Sequence, residues 1–178
     1  MGATCIDRLC SARLAFERPR QADLDELARL HADPRVAETL GGVQSRAQSE
    51  AQLRALRRHW DDYGFGIWTL REESSGRFAG RGGLQRVVIE GRDEVEVAYA
   101  LRPELWRRGL ATEVACESVR VAFEVISLAE LVCFTLPANR ASQRVMAKAG
   151  FHYDRDIVHA GLPHALYRQT AVAWQEGG

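Results

Sequence analysis

The spacing of apolar residues in the first third of the chain predicts one strand followed by two helices. Residues 13–17, RLAFE, alternate as a strand does. Asp23, with an acidic residue three positions later, predicts a helix start, and Pro34 predicts its end. Ser45 and Gln48 predict a second capped helix, whose apolar positions follow at helical spacing.

The period then changes to two and predicts three consecutive strands. Their sequences are FGIWTLRE, RFAGRGGLQRVV and EVEVAYALR. Within the third, successive residues point to opposite faces of a sheet. One face carries Val95, Val97, Tyr99 and Leu101, and the other carries Glu94, Glu96, Ala98 and Ala100. The glycines of GRGG, residues 80–83, indicate a bulge or a close backbone approach.

The last third predicts two further helices and three strands. A helical period begins at Gly109, LVCFTL is typical of a buried strand, and a helix runs from Asn139 to Gly150. FHYDRDIV and ALYRQTAVAW close the chain as a strand pair. The order predicts a mixed α/β (α+β) sheet with helices on its faces. We expect a flexible leader at 1–10, one domain over 11–171 and a tail at 172–178.

Composition narrows the function classes. The chain has 178 residues, and its 24 basic and 24 acidic residues cancel, which gives no support for binding nucleic acid or a membrane. The four cysteines form no CxxC pair and have no histidine at zinc-like spacing, so we expect no metal and a reduced, cytoplasmic protein. The sequence shows neither a secretory signal nor a run of 18 apolar residues.

The stretch WRRGLAT, residues 106–112, carries the candidate chemistry. It lies between a strand and a helix, where unpaired backbone N–H groups and the helix dipole favour an anion. Arg107 and Arg108 can bind phosphate oxygens, Gly109 permits close approach, and Thr112 adds a hydroxyl. The alternative interpretation is a helix start that simply needs a tight turn. The lysine of a P-loop and the GxGxxG dinucleotide motif are both missing, which disfavours a nucleotide-binding module.

The stretch EVEVAYALRPELWRRGLATEVACESV resembles the acyl-CoA-binding core of the GNAT superfamily of N-acetyltransferases. The family's turn follows Q/R-x-x-G-x-G/A, with Trp106 here at the first position and Gly109 and Ala111 in register. Together with NRASQRVMAKAGF, residues 139–151, it is most similar to the branch that contains ribosomal-protein N-terminal acetyltransferases. The resemblance covers about residues 11–171. It implies a mostly antiparallel mixed sheet of about seven strands flanked by about four helices.

The resemblance implies acetyl-CoA as cofactor and an amine as acceptor. In the family, the pantetheine arm lies between the strand before the phosphate turn and the strand after the long helix. The residues expected to bind the cofactor are Ala98, Tyr99, Ala100, Leu101, Arg107, Arg108, Gly109, Leu110, Ala111, Thr112 and Asn139. Packing against a helix is an equal explanation for the two alanines, and an N-cap role is an equal explanation for Asn139.

Amine acetylation needs a proton acceptor and help for a departing thiolate. Glu96 is the first candidate base because it shares the face of Ala98 and Ala100, although it could also be a solvated carboxylate; Glu94 and Glu113 are weaker candidates. The family's tyrosine acid is replaced by Met146, so the resemblance shifts that role to Ser142 or to water. The oxyanion is expected at a backbone N–H near Ala98. His31 is expected to be a core histidine.

The leading hypothesis is therefore transfer of an acetyl group to a primary amine, of a protein N-terminus or of a small molecule, by direct attack on the thioester. The alternative is a catalytically inactive acyl-CoA-binding regulatory domain, for which Met146 is the suggestive departure. The edge strands at the C-terminus could pair in a homodimer.

Overall fold

A computed structural model describes residues 6–177, which form one mixed sheet with helices on both faces. The elements are β1 (Arg8–Cys10), β2 (Leu14–Glu17), α1 (Leu24–Ala32), α2 (Pro34–Leu40), α3 (Arg46–Tyr63), β3 (Ile67–Glu72), β4 (Phe78–Ile89), β5 (Arg92–Leu101), α4 (Leu110–Arg120), β6 (Glu130–Thr135), α5 (Arg140–Lys148), β7 (His152–His159), β8 (Leu162–Thr170) and α6 (Ala171–Glu176). The strands lie in the order β1-β2-β3-β4-β5-β6-β8-β7. Within residues 6–177, only β5 and β6 pair in parallel.

The predicted fold class is confirmed, but the element count differs. Residues 6–177 hold eight strands and six α-helices, where about seven and about four were expected. The prediction of a flexible leader at 1–10 is wrong for Arg8–Cys10, because these residues form β1 and pair with β2. Residues 1–5 lie outside the described range. α2 begins at Pro34, which the sequence pattern indicated only as a helix stop. α6 occupies most of the predicted tail.

Helix starts follow the predicted chemistry in one case and depart from it in another. Ser45 Oγ accepts from Gln48 N at 3.2 Å and Gln48 Oε1 accepts from Ser45 N at 2.8 Å, which confirms the capping box of α3. The helix start predicted at Asp23 is also confirmed, because Asp23 is the N-cap of α1, but its side chain makes no capping bond to that helix. It accepts instead from the backbone N–H of Arg20 at 2.8 Å, in a short 3-10 turn before α1.

Successive side chains of β5 point to opposite faces of the sheet, and each face packs against a different set of helices. Val97 and Leu101 belong to a core cluster that contains Val114 and Val119 of α4. Ala100, on the opposite face, packs with apolar residues of α1, α2 and α3. The side chains of Glu96 and Ala98 therefore face α1–α3, and the side chain of Tyr99 faces α4 and α5. No helix in residues 6–177 has the length and apolar character needed to cross a membrane.

Gly80 on β4 confirms the expected close backbone approach. Its φ is +151°, and a Cβ atom there would lie against the Ala100 carbonyl oxygen of β5 and 2.8 Å from Leu101 Cα. Because these neighbours are backbone atoms, they cannot move aside as a flexible side chain would. The glycine therefore lets β4 and β5 pair in the middle of the sheet.

We expect Gly80→Ala to lower the free energy of unfolding by about 3 kcal/mol, since overpacking and an unfavourable φ both contribute. Gly76→Ala is the control, because Gly76 also has a left-handed φ of +67° but has open space around it. That variant should lose only about 1 kcal/mol. Urea unfolding followed by tryptophan fluorescence measures both, and equal losses would contradict the close approach.

Candidate functional site

A gap between β5 and β6 forms the centre of the candidate site. In residues 6–177, the two strands pair at one position only, Glu96 with Val132. The buried Cys133 thiol donates to the Val97 carbonyl at 3.0 Å, and beyond that point the strands separate. Parallel strands that diverge in this way leave the backbone polar groups of β5 facing a cleft instead of a neighbouring strand.

The cleft opens into a cavity of about 980 Å³. Both faces of β5 contribute to its wall, together with the turn before α4, the end of β6 and the start of α5. Almost all of the predicted site residues line it: Glu96, Ala98, Tyr99, Ala100, Leu101, Arg107, Gly109, Leu110, Ala111, Thr112, Asn139 and Ser142. Arg108 does not, because its side chain lies 3.6 Å from Glu72 on another face of the turn.

The turn before α4 has the backbone of an anion site. Gly109, the N-cap residue, has a φ of +77°, and Arg107 adopts φ +61° although it is not a glycine. A left-handed non-glycine residue is strained and is often found at functional positions. Within the described chain, no side chain caps the first turn of α4, so its N–H groups remain available to a ligand.

Interactions from two directions hold this turn in place. Arg13 Nη1 donates to the Arg108 carbonyl at 2.8 Å, and Arg13 Nε donates to Glu113 at 2.7 Å. Glu113 also accepts from the Ser11 hydroxyl at 2.6 Å, so it is a structural carboxylate rather than a base. Trp106 Nε1 donates to the Leu101 carbonyl at 2.9 Å, which fixes the other end of the turn to β5.

Glu96 is the carboxylate best placed for chemistry. Its residue is 7% exposed, and its carboxylate accepts a hydrogen bond from Gln85 Nε2 at 2.7 Å. Burial raises the pKa of Glu96 to about 7, although Gln85 and the charge of Arg81 act to lower it. Glu94, on the same strand face, is instead paired with Arg168 at 3.0 Å and does not line the cavity.

Tyr99 and Ser142 form a hydroxyl pair on the α5 side of the cavity. Their oxygens lie 2.9 Å apart, and burial raises the pKa of Tyr99 well above its usual range. Asn139 accepts from Ser142 N at 3.1 Å, which shows its N-cap role. Met146 is 1% exposed and lies in the core, so the position of the family's acid faces away from the cavity.

Comparison with known proteins decides the family. Residues 13–152 match the sequence model of the Acetyltransferase (GNAT) domain. This chain is an acetyltransferase of the GNAT family. Among curated proteins, it is 27% identical over 142 residues to the uncharacterized protein YkkB of Bacillus subtilis, which covers 80% of this chain and 83% of YkkB.

Solved structures show the same fold as this acetyltransferase. An acetyltransferase from Agrobacterium tumefaciens aligns with a TM-score of 0.81 at 24% identity, over 91% of this chain and 93% of that one. RimL, a ribosomal L7/L12 α-N-protein acetyltransferase in complex with coenzyme A, aligns with a TM-score of 0.73 at 13% identity, over 90% and 95%. The predicted resemblance to the GNAT superfamily is confirmed.

The cavity of this acetyltransferase also contains a cluster of polar side chains that was not predicted from the sequence. Arg81, Gln85 and Gln52 line the cavity beside Glu96. The only signal was GRGG, where a charged residue interrupts an otherwise apolar strand between glycines. Across residues 6–177, no group of three or more His, Cys, Asp and Glu side chains is placed to hold a metal ion.

His31 is buried as expected, but it belongs to this cluster. The Nε atom of Arg81 donates to His31 Nε2 at 3.2 Å, and His31 Nδ1 lies 3.1 Å from Ser49 Oγ. Because a guanidinium only donates, His31 Nε2 is the acceptor and its proton is on Nδ1, directed at Ser49. Burial and the neighbouring Arg81 lower the pKa of His31 to about 4.

The depressed pKa of His31 makes folding stability depend on pH. The unfolded chain binds a proton near pH 6.5 and the folded chain binds it near pH 4, so stability is lost as pH falls through this window. Between pH 7 and pH 5, we expect His31 to account for a loss of roughly 2 kcal/mol. Glu96, whose pKa is raised, changes the free energy of unfolding in the opposite direction over this range. Urea unfolding at both pH values is therefore compared between variants, and from pH 7 to pH 5 the natural chain should lose roughly 2 kcal/mol relative to His31→Asn. His152→Asn, which removes an exposed histidine, should have the pH dependence of the natural chain; an unchanged pH dependence in His31→Asn would show that His31 is not responsible.

Proposed function

We propose that this protein transfers an acetyl group from acetyl-CoA to a primary amine, with Glu96 as general base. The observation that carries the proposal is the single buried carboxylate of pKa about 7 beside the gap between β5 and β6. The other acidic candidates, Glu94 and Glu113, are each held in ion pairs outside the cavity. Membership of the GNAT family supports acetyl-CoA as the acetyl donor. The geometry of the cavity supports Glu96, rather than Glu94 or Glu113, as the base.

The residues present fit acetyl-CoA. The left-handed turn at Arg107 and Gly109 and the uncapped start of α4 suit a pyrophosphate. The separated edge of β5, from Ala98 to Leu101, can pair with the pantetheine arm in the manner of an added strand. Leu110 is 2% exposed with its side chain in the core, so it would contribute its backbone N–H only.

Glu96 would accept the proton that the amine loses. Bound acetyl-CoA supplies a thioester, whose carbonyl carbon forms the new C–N bond as the C–S bond breaks. The α-amino group of a peptide has a pKa of about 7.7–8.0, close to that of Glu96, so proton transfer between the two groups would be nearly balanced for an acceptor of this kind. A backbone N–H near Ala98, on the unpaired edge of β5, would stabilise the oxyanion.

The hydroxyl pair of Ser142 and Tyr99 would assist the departing thiolate. Ser142 lies at the start of α5 with its hydroxyl 2.9 Å from that of Tyr99, and both residues line the cavity. A hydrogen bond from Ser142 would stabilise the negative sulfur, and Tyr99 would hold the serine hydroxyl in place. A thiol of pKa about 8.5 needs no stronger acid, and Met146 is therefore no obstacle to catalysis.

We expect Glu96→Gln to lower kcat by about 10²–10⁴-fold, because it removes the proton acceptor. At saturating amine, the natural enzyme should gain activity as pH rises with an apparent pKa near 7, and the variant should lose this dependence. Gln85→Leu removes a hydrogen bond that lowers the pKa of Glu96, so it should move the rise to higher pH. Release of free thiol from acetyl-CoA measures the rates.

Glu94→Gln is the matched control, since it removes a buried carboxylate from the same strand face outside the cavity. It should keep the pH profile. A Glu96→Gln variant with the natural rate and profile would overturn the assignment of the base. Binding of acetyl-CoA without thiol release from any amine would favour the inactive regulatory domain instead.

Gly109→Val should weaken acetyl-CoA binding by more than about tenfold. A β-branched residue disfavours φ +77°, and a displaced turn loses charge-assisted hydrogen bonds to phosphate. The control is Gly64→Val, which has the same strain at φ +72° but lies at the end of α3. The rise in melting temperature with acetyl-CoA should be lost in the first variant and kept in the second. ATP and NAD should give no rise with the natural protein, and binding by Gly109→Val with unreduced affinity would refute the phosphate turn.

A further inference from the structure

Arg81 is a buried cation in the cavity wall that the acetyl-transfer mechanism does not use. It lies on β4 opposite Ala100, is 7% exposed, and lines the same cavity as Glu96. Its side chain extends between the sheet and the helices, where its Nε atom reaches His31 of α1. A guanidinium in such a position is costly unless its charge and its donors are matched.

Arg81 has few partners in the protein for its positive charge and its hydrogen-bond donors. In residues 6–177, its side chain makes one hydrogen bond, to the neutral nitrogen of His31, and forms no ion pair within 4.0 Å. Glu96 is the one carboxylate that favours its charged form, and Glu96 is itself only half ionised near neutral pH. The forked ends of the guanidinium are therefore left for a partner outside the chain.

A second unmatched polar group lies in the same wall. Gln52, on α3, lines the cavity, and its side-chain oxygen is buried without a hydrogen-bond partner in the described residues. Gln85 lines the same cavity, and its amide donates to Glu96. The cluster thus offers donors for an anion at Arg81 and an acceptor for an N–H or O–H group at Gln52.

We propose that the amine acceptor carries a carboxylate, which binds Arg81, and that it is a small amino acid. Such a molecule has an anion for the guanidinium and an amine for Glu96 on the same or a nearby carbon. The proposal rests on the proposed function and specifies its acceptor. A protein N-terminus with an uncharged first residue has no such anion next to its amine and would leave Arg81 buried and unmatched.

His31 is a positioning residue in this arrangement. Its neutral nitrogen holds the Nε side of Arg81, and its other nitrogen is fixed by Ser49 of α3. The two terminal nitrogens of the guanidinium make no hydrogen bond within the described residues. A bidentate pair with a carboxylate uses this planar, forked geometry.

Paired acceptors test the proposal on the natural protein. Thiol release from acetyl-CoA is measured with glycine, alanine, glutamate and phenylalanine, each against its carboxamide. We expect kcat/KM for the acids to exceed that for the amides by about 10²-fold or more, since a site built for a polar group discriminates strongly against its loss. Peptides that begin with Asp or Asn form a fifth pair, because the aspartate carries its carboxylate on a side chain.

Two variants test whether the preference for acids over amides depends on Arg81. Arg81→Gln should reduce kcat/KM for the acids by about 10²-fold more than for the amides, so that the preference disappears. Both are compared at a pH above the rise in activity, because loss of the Arg81 charge also raises the pKa of Glu96. Arg86→Gln is the control, because it removes an exposed charge from the same strand outside the cavity. The melting-temperature rise with acetyl-CoA reports that each variant is folded and binds its donor.

The possible outcomes distinguish an error in the assigned acceptor from an error in the proposed acetyl transfer. Equal or better rates with the amides overturn the carboxylate site while acetyl transfer stands. A preference for the Asp peptide over every free amino acid overturns the assignment to small amino acids. A preference for acids that persists in Arg81→Gln overturns the role of Arg81. Donor binding with no thiol release from any acceptor overturns the proposed function, and the acceptor assignment with it.

Discussion

The separation of β5 from β6 is the constraint on which the rest of the site depends. The two strands are parallel neighbours in the sheet, yet they pair at Glu96 and Val132 alone in the described chain. The cost of leaving strand backbone unpaired is met in part by Cys133, whose thiol donates to the Val97 carbonyl. Because one pairing remains, the gap begins next to Glu96. Its closed end therefore holds the buried carboxylate, and its open end leads to the turn before α4.

The sheet also separates two kinds of chemistry. On the α4 and α5 side lie the turn before α4, the Tyr99–Ser142 hydroxyl pair and the main core. On the side of α1, α2 and α3 lie Glu96, Arg81 and His31. A donor bound in the gap would thus meet an acceptor that enters from the other face. The single strand β5 reaches both sides because its successive residues alternate.

Much of this arrangement could be predicted from local patterns. The period of two in EVEVAYALR predicted both faces of β5, and the glycine before α4 predicted the turn. Short elements could not be predicted: β1 has three residues and α2 has seven, too few for a period to be visible. Arg108 was predicted to bind phosphate together with Arg107, but its side chain lies beside Glu72 and outside the cavity, a contact between distant residues that the local pattern does not show.

The cluster around Arg81 was beyond prediction for a different reason. Arg81, His31 and Ser49 come from three elements separated by up to 50 residues, so the sequence does not show that they lie together. Only the packing of α1 against both α3 and β4 brings them together. The raised pKa of Glu96, about 7, likewise arises from burial, which the sequence does not show.

The hydrogen bonds of Arg13 connect the edge of the sheet to the turn before α4. Arg13 lies directly before β2, and it holds both the Arg108 carbonyl and Glu113 of α4. A ligand that orders this turn therefore favours the conformation in which Arg13 is docked. By linkage, local opening of β1 and β2 becomes rarer when the turn is occupied, and slower amide hydrogen exchange in these strands would report a ligand that they do not touch.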